Sequence, residues 1–199
     1  MNKSRLEAFS DGVFAIIITI MVLELKMPHG TDWNAIKSVL PSFASYILSF
    51  IFIGIYWGNH HHLVHAAHSV DGKMIWANLA QLFWLSLVPP LTAWMADTDF
   101  EPIPVAIYGG LLVACGVAFT ILSLIIVKSR PSEKEALFHA FRRSNSKGKI
   151  STIGYILSIP LAFVHPLISC ILFISIALMW IIPDKDVEKF ITQESETRK

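Results

Sequence analysis

Long apolar stretches, separated by short polar segments, dominate the pattern along the chain. Five stretches contain no Asp, Glu, Lys or Arg, at residues 12–23, 38–70, 74–96, 102–127 and 150–183. An α-helix crosses the hydrocarbon core of a bilayer, about 30 Å thick, with about 20 apolar residues. The pattern therefore predicts an all-α membrane protein with six spans, near residues 7–27, 36–58, 74–95, 103–127, 150–164 and 166–182.

The last uncharged stretch is too long for one crossing. A continuous helix from residue 150 to 183 would be about 51 Å long at about 1.5 Å per residue. His165-Pro166 lies at its middle, and a residue that precedes proline is disfavoured in the α conformation. We predict two short helices that meet at this dipeptide, with a re-entrant hairpin as the alternative.

The distribution of positive charge predicts the orientation. Of the 16 lysines and arginines, all but Lys26 and Lys37 lie in the N-terminus, the segment between spans 2 and 3, the segment 128–149 or the C-terminal tail. Positive residues concentrate on the cytoplasmic side of membrane proteins. Six spans then place both termini in the cytoplasm, with one transmembrane domain over 1–183 and a polar cytoplasmic tail over 184–199.

Composition narrows the function classes. The chain is 54% apolar and 16% charged, with a mean hydropathy of +0.56. A soluble domain of this size could not bury so much apolar surface, so a soluble enzyme or a nucleic-acid-binding domain is excluded as the first interpretation. Cys115 and Cys170 lie inside apolar stretches and are expected to pack as small apolar side chains. We predict no enzyme activity, cofactor, metal or nucleic-acid partner.

The first span is unusual because it contains Arg5, Glu7, Asp11 and Glu24. Ionisable side chains in a span are costly and generally face protein or water instead of lipid. A helix that avoids lipid in a small membrane protein is a candidate lining for an ion pathway.

A helical wheel of this span, centred on Ile16, separates two kinds of residue. Four side chains fall within about 40° of Ile16, and Thr19 lies about 60° to one side. The four are Gly12, Ile20, Leu23 and Met27. Ser10 and Asp11 point about 120° and 140° away, toward neighbouring helices. The apolar stripe alone would be typical of a packing face.

Residues 5–16 resemble a family signature. Arg5-Leu-Glu-Ala-Phe9-Ser10-Asp11-Gly-Val-Phe-Ala-Ile16 is similar to the R-x-x-x-F-S-D-x-x-x-A-I motif of the transmembrane protein 175 family. These proteins are potassium-permeable channels of bacterial membranes and of animal endosomes and lysosomes. A single set of six spans resembles the bacterial members, which assemble as tetramers. The resemblance implies a homotetramer in a bacterial plasma membrane that conducts monovalent cations, chiefly potassium.

The same resemblance implies roles for the residues of helix 1. The four copies of helix 1 would line a central pore without a separate filter loop. A ring of aliphatic side chains would close it at Ile16, Ile20 and Leu23, and Thr19 would contribute to selectivity. For Thr19 the alternative is a hydroxyl bonded to the carbonyl of residue 15.

The polar signature residues are expected to brace helix 1 and not to touch ions. Helix 1 begins and helix 2 ends at the same membrane face, so their polar residues should lie at similar depth. We expect Ser10, Asp11 and Arg5 to bond with residues at the end of helix 2, and Phe9 of the signature to help brace helix 1. The expected partners are Asn59, His60, His61 and His62.

Two other patterns keep alternatives open. The segment from His60 to His68 holds five histidines, which favour an interfacial hydrogen-bonded cluster but could bind a metal or sense pH. With Asp11 and Glu24 they would serve a small secondary transporter or membrane enzyme as a proton or metal site. Residues 152–156, Thr-Ile-Gly-Tyr-Ile, resemble a potassium-channel filter but lack its final glycine.

Overall fold

The computed structural model describes residues 2–67, 69–129 and 142–181, with side chains for all of these except 142–145. This part of the chain is all-α, as predicted. Its helices are α1 (Lys3–Leu23), α2 (Trp33–His65), α3 (Gly72–Ser86), α4 (Val88–Asp97), α5 (Pro102–Lys128), α6 (Arg142–Val164) and α7 (Pro166–Ile181). The predicted tail 184–199, most of the basic segment before α6 and His68 lie outside the described residues.

Four described segments are long and apolar enough to cross a membrane. They are α1, α2, the joined pair α3–α4 over Gly72–Asp97, and α5. The helix α7 is apolar but shorter. The six-span assignment therefore remains a prediction in its last pair.

The predicted third span is one helix broken in two. The α3–α4 segment has 26 residues, and Leu87 separates its halves. Pro89 and Pro90 follow directly and carry no N–H, so the carbonyls of Leu85 and Ser86 lack their ordinary helical donors. The Leu87 N–H instead donates to the Trp84 carbonyl at 3.2 Å, a tighter turn that ends α3.

The helices α6 and α7 form an antiparallel hairpin. The break falls at His165, the residue before Pro166, where the sequence places it. Ser169 Oγ donates to the Ser158 carbonyl at 2.7 Å, and Trp180 Nε1 donates to Ser151 Oγ at 2.8 Å. These bonds link the two helices near both ends of the pair. The helix α6 begins at Arg142, earlier than the predicted start at residue 150.

The ends of α1 and α2 also differ from the predicted spans. The helix α1 stops at Leu23, so Met27, which precedes Pro28, lies beyond it and does not extend the stripe. The helix α2 continues to His65 because no proline or glycine interrupts its last two turns. The residues His60, His61, His62 and His65 are therefore helical.

Two apolar clusters hold α1 in place. The larger one joins Phe14 and Ile17 of α1 to Phe52, Tyr108 and Phe173 of other helices. The smaller one lies at the other end of α1, around Leu6, where α2, α3 and α5 also contribute. Both clusters lie on one side of α1, so the helix is fixed along its length from that side only.

A glycine sets the closest approach between α5 and α6. A Cβ atom on Gly109 would lie 2.6 Å from Ser158 Oγ, too near for any real contact. The next residue, Gly110, has no such neighbour within 4 Å. Small residues at such crossings let helix backbones pack closely in membranes.

Candidate ion pathway along helix α1

The face of α1 that carries Ile16 is not covered by the other described residues. The exposed fractions of Ile16, Ile20 and Leu23 are 59%, 43% and 77%, and Thr19 is also exposed. The opposite face is buried, at Leu6, Ser10, Phe14, Ile17 and Met21. All the residues expected at the constriction therefore lie on one accessible stripe.

Phe9 lies on the accessible stripe as well. It is 50% exposed and falls about 20° from Ile16 around the helix. This placement does not support the bracing role expected for Phe9. The Arg5 side chain is exposed and forms no hydrogen bond or ion pair with the described residues. Within that part of the chain, neither side chain braces α1 against its neighbours.

Thr19 forms a hydrogen bond to the backbone of its own helix, the alternative given for it above. Its hydroxyl donates to the Ala15 carbonyl at 2.8 Å. The single hydroxyl hydrogen is thereby used, and the two oxygen lone pairs remain. Toward anything on the accessible face, Thr19 acts as an acceptor.

Ser10 is held by a residue of α3 that was not among its predicted partners. Asn78 of α3 donates from Nδ2 to Ser10 Oγ at 3.0 Å, and Ser10 donates to the Leu6 carbonyl at 2.9 Å. Because the Asn78 amide nitrogen serves Ser10, its Oδ1 accepts from His60 Nε2, 2.6 Å away. Ser10, His60 and Asn78 are all buried. The three side chains join α1, α2 and α3 in one fully buried chain of hydrogen bonds.

Asp11 is held by an indole. Trp57 Nε1 donates to Asp11 Oδ1 at 2.9 Å at the surface between α1 and α2. One turn further along α2, His61 lies against Trp57 with ring centres 6.1 Å apart, and His65 stacks on His61 at the same spacing. His62 meets the edge of His61 with ring centres 5.8 Å apart.

The start of α1 faces the end of this aromatic row. Glu7 Oε1 lies 3.8 Å from His65 Nδ1, which is an ion pair when the imidazole is protonated. That carboxylate oxygen is buried and has no hydrogen-bond partner among the described residues. The Lys3 ammonium donates to the His65 carbonyl. Charged groups of α1 thus contact both ends of the row formed by Trp57, His61 and His65.

The expected pairing of Asp11 with Asn59 is wrong. Asn59 donates to the carbonyl of Ile55 in its own helix at 2.8 Å. The actual partner of Asp11 is Trp57, and that of Ser10 is Asn78. One feature of the sequence pointed to each of them. Asn78 is an amide inside the uncharged stretch 74–96, where a polar group needs a partner, and Trp57 is an N–H donor close to the expected depth.

The described residues do not assemble a shared proton or metal site. Glu24 caps the end of α1, 13 residues after Asp11, about 20 Å along the helix. No three His, Cys, Asp or Glu side chains in the described ranges are close enough to hold a metal ion. The filter-like segment Thr152–Ile156 lies within α6, and Thr152 Oγ1 donates to the Gly148 carbonyl, so it is ordinary helix.

The apolar helices and their exposed apolar side chains define a multi-pass α-helical membrane protein. Residues 5–89 match the family model described as the endosomal/lysosomal potassium channel TMEM175. A potassium channel of Chryseobacterium sp. (strain P1-3) is 47% identical over 196 residues, which are 97% of this chain and 100% of that protein. The chain belongs to the TMEM175 family, a family of ion channels and not of enzymes.

Other relatives also cover most of this chain. A potassium channel of Streptomyces collinus is 36% identical, over 82% of this chain and 84% of its own. The crystal structure of a lysosomal potassium-selective channel TMEM175 homolog from Chamaesiphon minutus is similar at a TM-score of 0.76 and 26% identity, over 90% of this chain and 96% of that one. The Gallus gallus endosomal/lysosomal proton channel TMEM175 is 29% identical over 74% of this chain, but only 32% of its own length.

Proposed function

We propose that this protein is a potassium-permeable cation channel of the bacterial plasma membrane, with a pore lined by α1 from four copies of the chain. The main observation in support of this proposal is that one face of α1 packs against other helices and the opposite face is accessible. A span with Glu7 and Asp11 at its start does not suit a lipid-facing position. Copies of the same helix around an axis would cover the bare face and leave a lumen at its centre.

The proposed constriction is the ring formed by Ile16, followed along the helix by Ile20 and Leu23. Aliphatic rings of small radius exclude water and form gates by dewetting. An ion that enters such a ring gives up part of its hydration shell and meets no replacement ligand. The closed-state barrier would therefore come from hydrophobicity and not from fixed charge.

Thr19 is proposed as the polar contact next to that ring. Its hydroxyl hydrogen is directed at the Ala15 carbonyl, so its oxygen would present lone pairs toward the lumen. Four such oxygens could replace part of the water shell of a cation. Asp11 and Ser10 would fix the radius from the opposite face of the helix without contacting the ion.

The proposed orientation has both termini in the cytoplasm. It is supported by the concentration of lysine and arginine at the ends and in the segments between spans 2 and 3 and before α6. In this orientation the Ser10–Asn78–His60 chain lies near the cytoplasmic mouth. The Lys26–Asp97 ion pair lies at the other end.

The test is cation flux into liposomes that contain only the purified chain. Potassium, sodium and proton gradients are compared, with protein-free liposomes as the blank. Potassium flux faster than about 10⁵ ions per second per assembly identifies a channel, because carriers are limited by conformational cycles of microseconds to milliseconds or slower. The absence of cation flux across a range of voltage and pH would sink the proposal, and slow saturating flux would favour a transporter.

A further inference from the structure

Arg5 is the only ionisable side chain of α1 that lies on the same stripe as the proposed constriction. Around the helix it falls about 20° from Ile16. The other three ionisable side chains of α1, Lys3, Glu7 and Asp11, fall about 140° to 180° away. The stripe therefore combines an apolar middle with one positive charge, at the end where α1 begins.

Packing against the described residues does not account for this charge. The Arg5 side chain is exposed and forms neither a hydrogen bond nor an ion pair with them. It lies in the first turn of α1, which contains no acidic residue, and a positive charge at that end opposes the helix dipole. Arg5 therefore does not stabilise its own helix, and its charge acts on whatever lies beside the stripe.

The charge lies well outside the apolar ring. Arg5 precedes Ile16 by 11 residues, or about 16 Å along a helix. Side chains of a helix lean toward its N-terminus, so the guanidinium group extends further from Ile16, toward water. The stripe residues between them, Phe9 and Gly12, carry no charge. A cation that approaches the ring from this end would meet Arg5 first, with no carboxylate of α1 on the same face.

We propose that four Arg5 side chains form a ring of positive charge at the cytoplasmic mouth of the pore and limit the entry of cations from that side. This inference rests on the proposed tetramer and its orientation. Rings of acidic side chains favour cations at a channel mouth, and rings of basic side chains favour anions. The channel therefore passes potassium more readily inward than outward, and Arg5 sets the asymmetry.

The size of this effect follows from Coulomb's law with screening by salt. A helix with its side chains is about 10 Å wide, so the four charges lie roughly that far from the axis. In water with about 0.1 M salt, they lower the local concentration of a monovalent cation about threefold. At about 1 M salt the Debye length is about 3 Å, and the same charges lower it by only about a tenth. Salt thus removes an effect of charge, but not an effect of a narrow mouth.

The experiment records single channels of the full chain in inside-out membrane patches, with the same potassium chloride concentration on both sides. For wild type at about 0.1 M, we expect an outward current about two- to threefold smaller than the inward current at equal and opposite voltages. At about 1 M the two currents should be nearly equal. At low salt, Arg5→Gln should lose most of the asymmetry, Arg5→Glu should reverse it, and Arg5→Lys should retain it.

Lys3→Gln is the matched control. It removes a positive charge from the same turn, on the side of α1 that contacts the His65 carbonyl, and should keep the wild-type asymmetry. Equal wild-type currents at low salt, or an asymmetry that persists at about 1 M, would overturn the proposal whether or not the Arg5 variants fold. The wild-type asymmetry in Arg5→Glu would overturn it as well. A wild type that conducts no cations refutes the proposed channel itself, whereas a conducting wild type without asymmetry refutes the Arg5 ring alone.

Discussion

The two faces of α1 differ in how their polar groups are satisfied. On the buried face, Ser10 bonds with Asn78 of α3, and at its edge Asp11 bonds with Trp57 of α2. On the accessible face, Thr19 bonds only with Ala15 of its own helix among the described residues. One face is fixed to neighbouring helices, and the other leaves its side chains unattached to them.

If the accessible face lines the proposed pore, this difference separates positioning from permeation on a single helix. Hydrogen bonds between helices fix rotation and depth, because each leaves a costly orphan if it breaks in an apolar interior. A pathway face gains nothing from such bonds, because ions and water must be exchanged there. The comparison predicts that variants of the buried face alter stability and variants of the stripe alter conduction.

The largest effect is expected for Asn78→Ala. The variant leaves the buried His60 Nε2 without its acceptor, and such an orphan costs about 1–3 kcal/mol. Ser10 loses the bond from Asn78 but still donates to the Leu6 carbonyl. We expect a loss of about 2–4 kcal/mol in the free energy of unfolding, measured by denaturant titration in detergent. Asn59→Ala is the matched control, since among the described residues its amide bonds within α2. Equal losses in the two variants would contradict the bracing role of Asn78.

Asp11→Ala should destabilise by about 0.5–1.5 kcal/mol, because Trp57 loses its acceptor in a bond that lies at the surface. Trp57→Phe removes the same bond from the other side. In a double-mutant cycle the two losses should not add, and the coupling reports the contact itself. If Asp11→Ala tetramers are as heat-stable as wild type but change ion preference, Asp11 belongs to the pathway and the division between the faces is wrong.

Ile16→Asn tests the accessible face. The amide keeps similar bulk but offers hydrogen bonds to water, so it should wet the constriction and raise the closed-state leak about tenfold, or about 1.4 kcal/mol in the barrier. Single-channel recording measures the leak. Ile121→Asn, an exposed isoleucine on α5, controls for adding an amide elsewhere. A normal leak in folded Ile16→Asn would move the gate to Ile20 or Leu23.

Thr19→Val should give the smallest change. It removes one oxygen per chain at nearly constant volume and leaves the Ala15 carbonyl inside the helix. We expect the potassium-to-sodium permeability ratio to fall about threefold, with little change in closed-state leak or stability. Reversal potentials in mixed salts measure the ratio. An unchanged ratio would mean that the hydroxyl serves only the helix backbone.

The sequence predicted the elements better than their partners. The uncharged stretches located the apolar helices, and His165-Pro166 marked the break between α6 and α7, because proline acts on the backbone locally. The signature at residues 5–16 predicted the family to which the chain belongs. Each of these features is encoded within a few consecutive residues.

The partners of α1 could not be predicted in the same way. The helical wheel gave the direction of Ser10, but not which helix lies across from it. That depends on the rotation of α3, which places Asn78, and not Asn59 of α2, against Ser10. His60 does lie level with Ser10 along the bundle, as expected. The two side chains are nevertheless linked through Asn78 and not directly. Contacts between helices arise from packing that periodicity does not specify.

The crossing at Gly109 constrains how the sequence can drift over generations. Every amino acid that could replace glycine brings a Cβ atom, and at this position that atom would meet Ser158 Oγ at 2.6 Å. Ser158 is fully buried and donates to the Tyr155 carbonyl, so its hydroxyl would have to leave that bond to make room. We therefore expect a substitution at Gly109 to cost less once residue 158 has become smaller. The residues acceptable at these two positions, 49 apart in the chain, should depend on each other, although neither belongs to the α1 stripe.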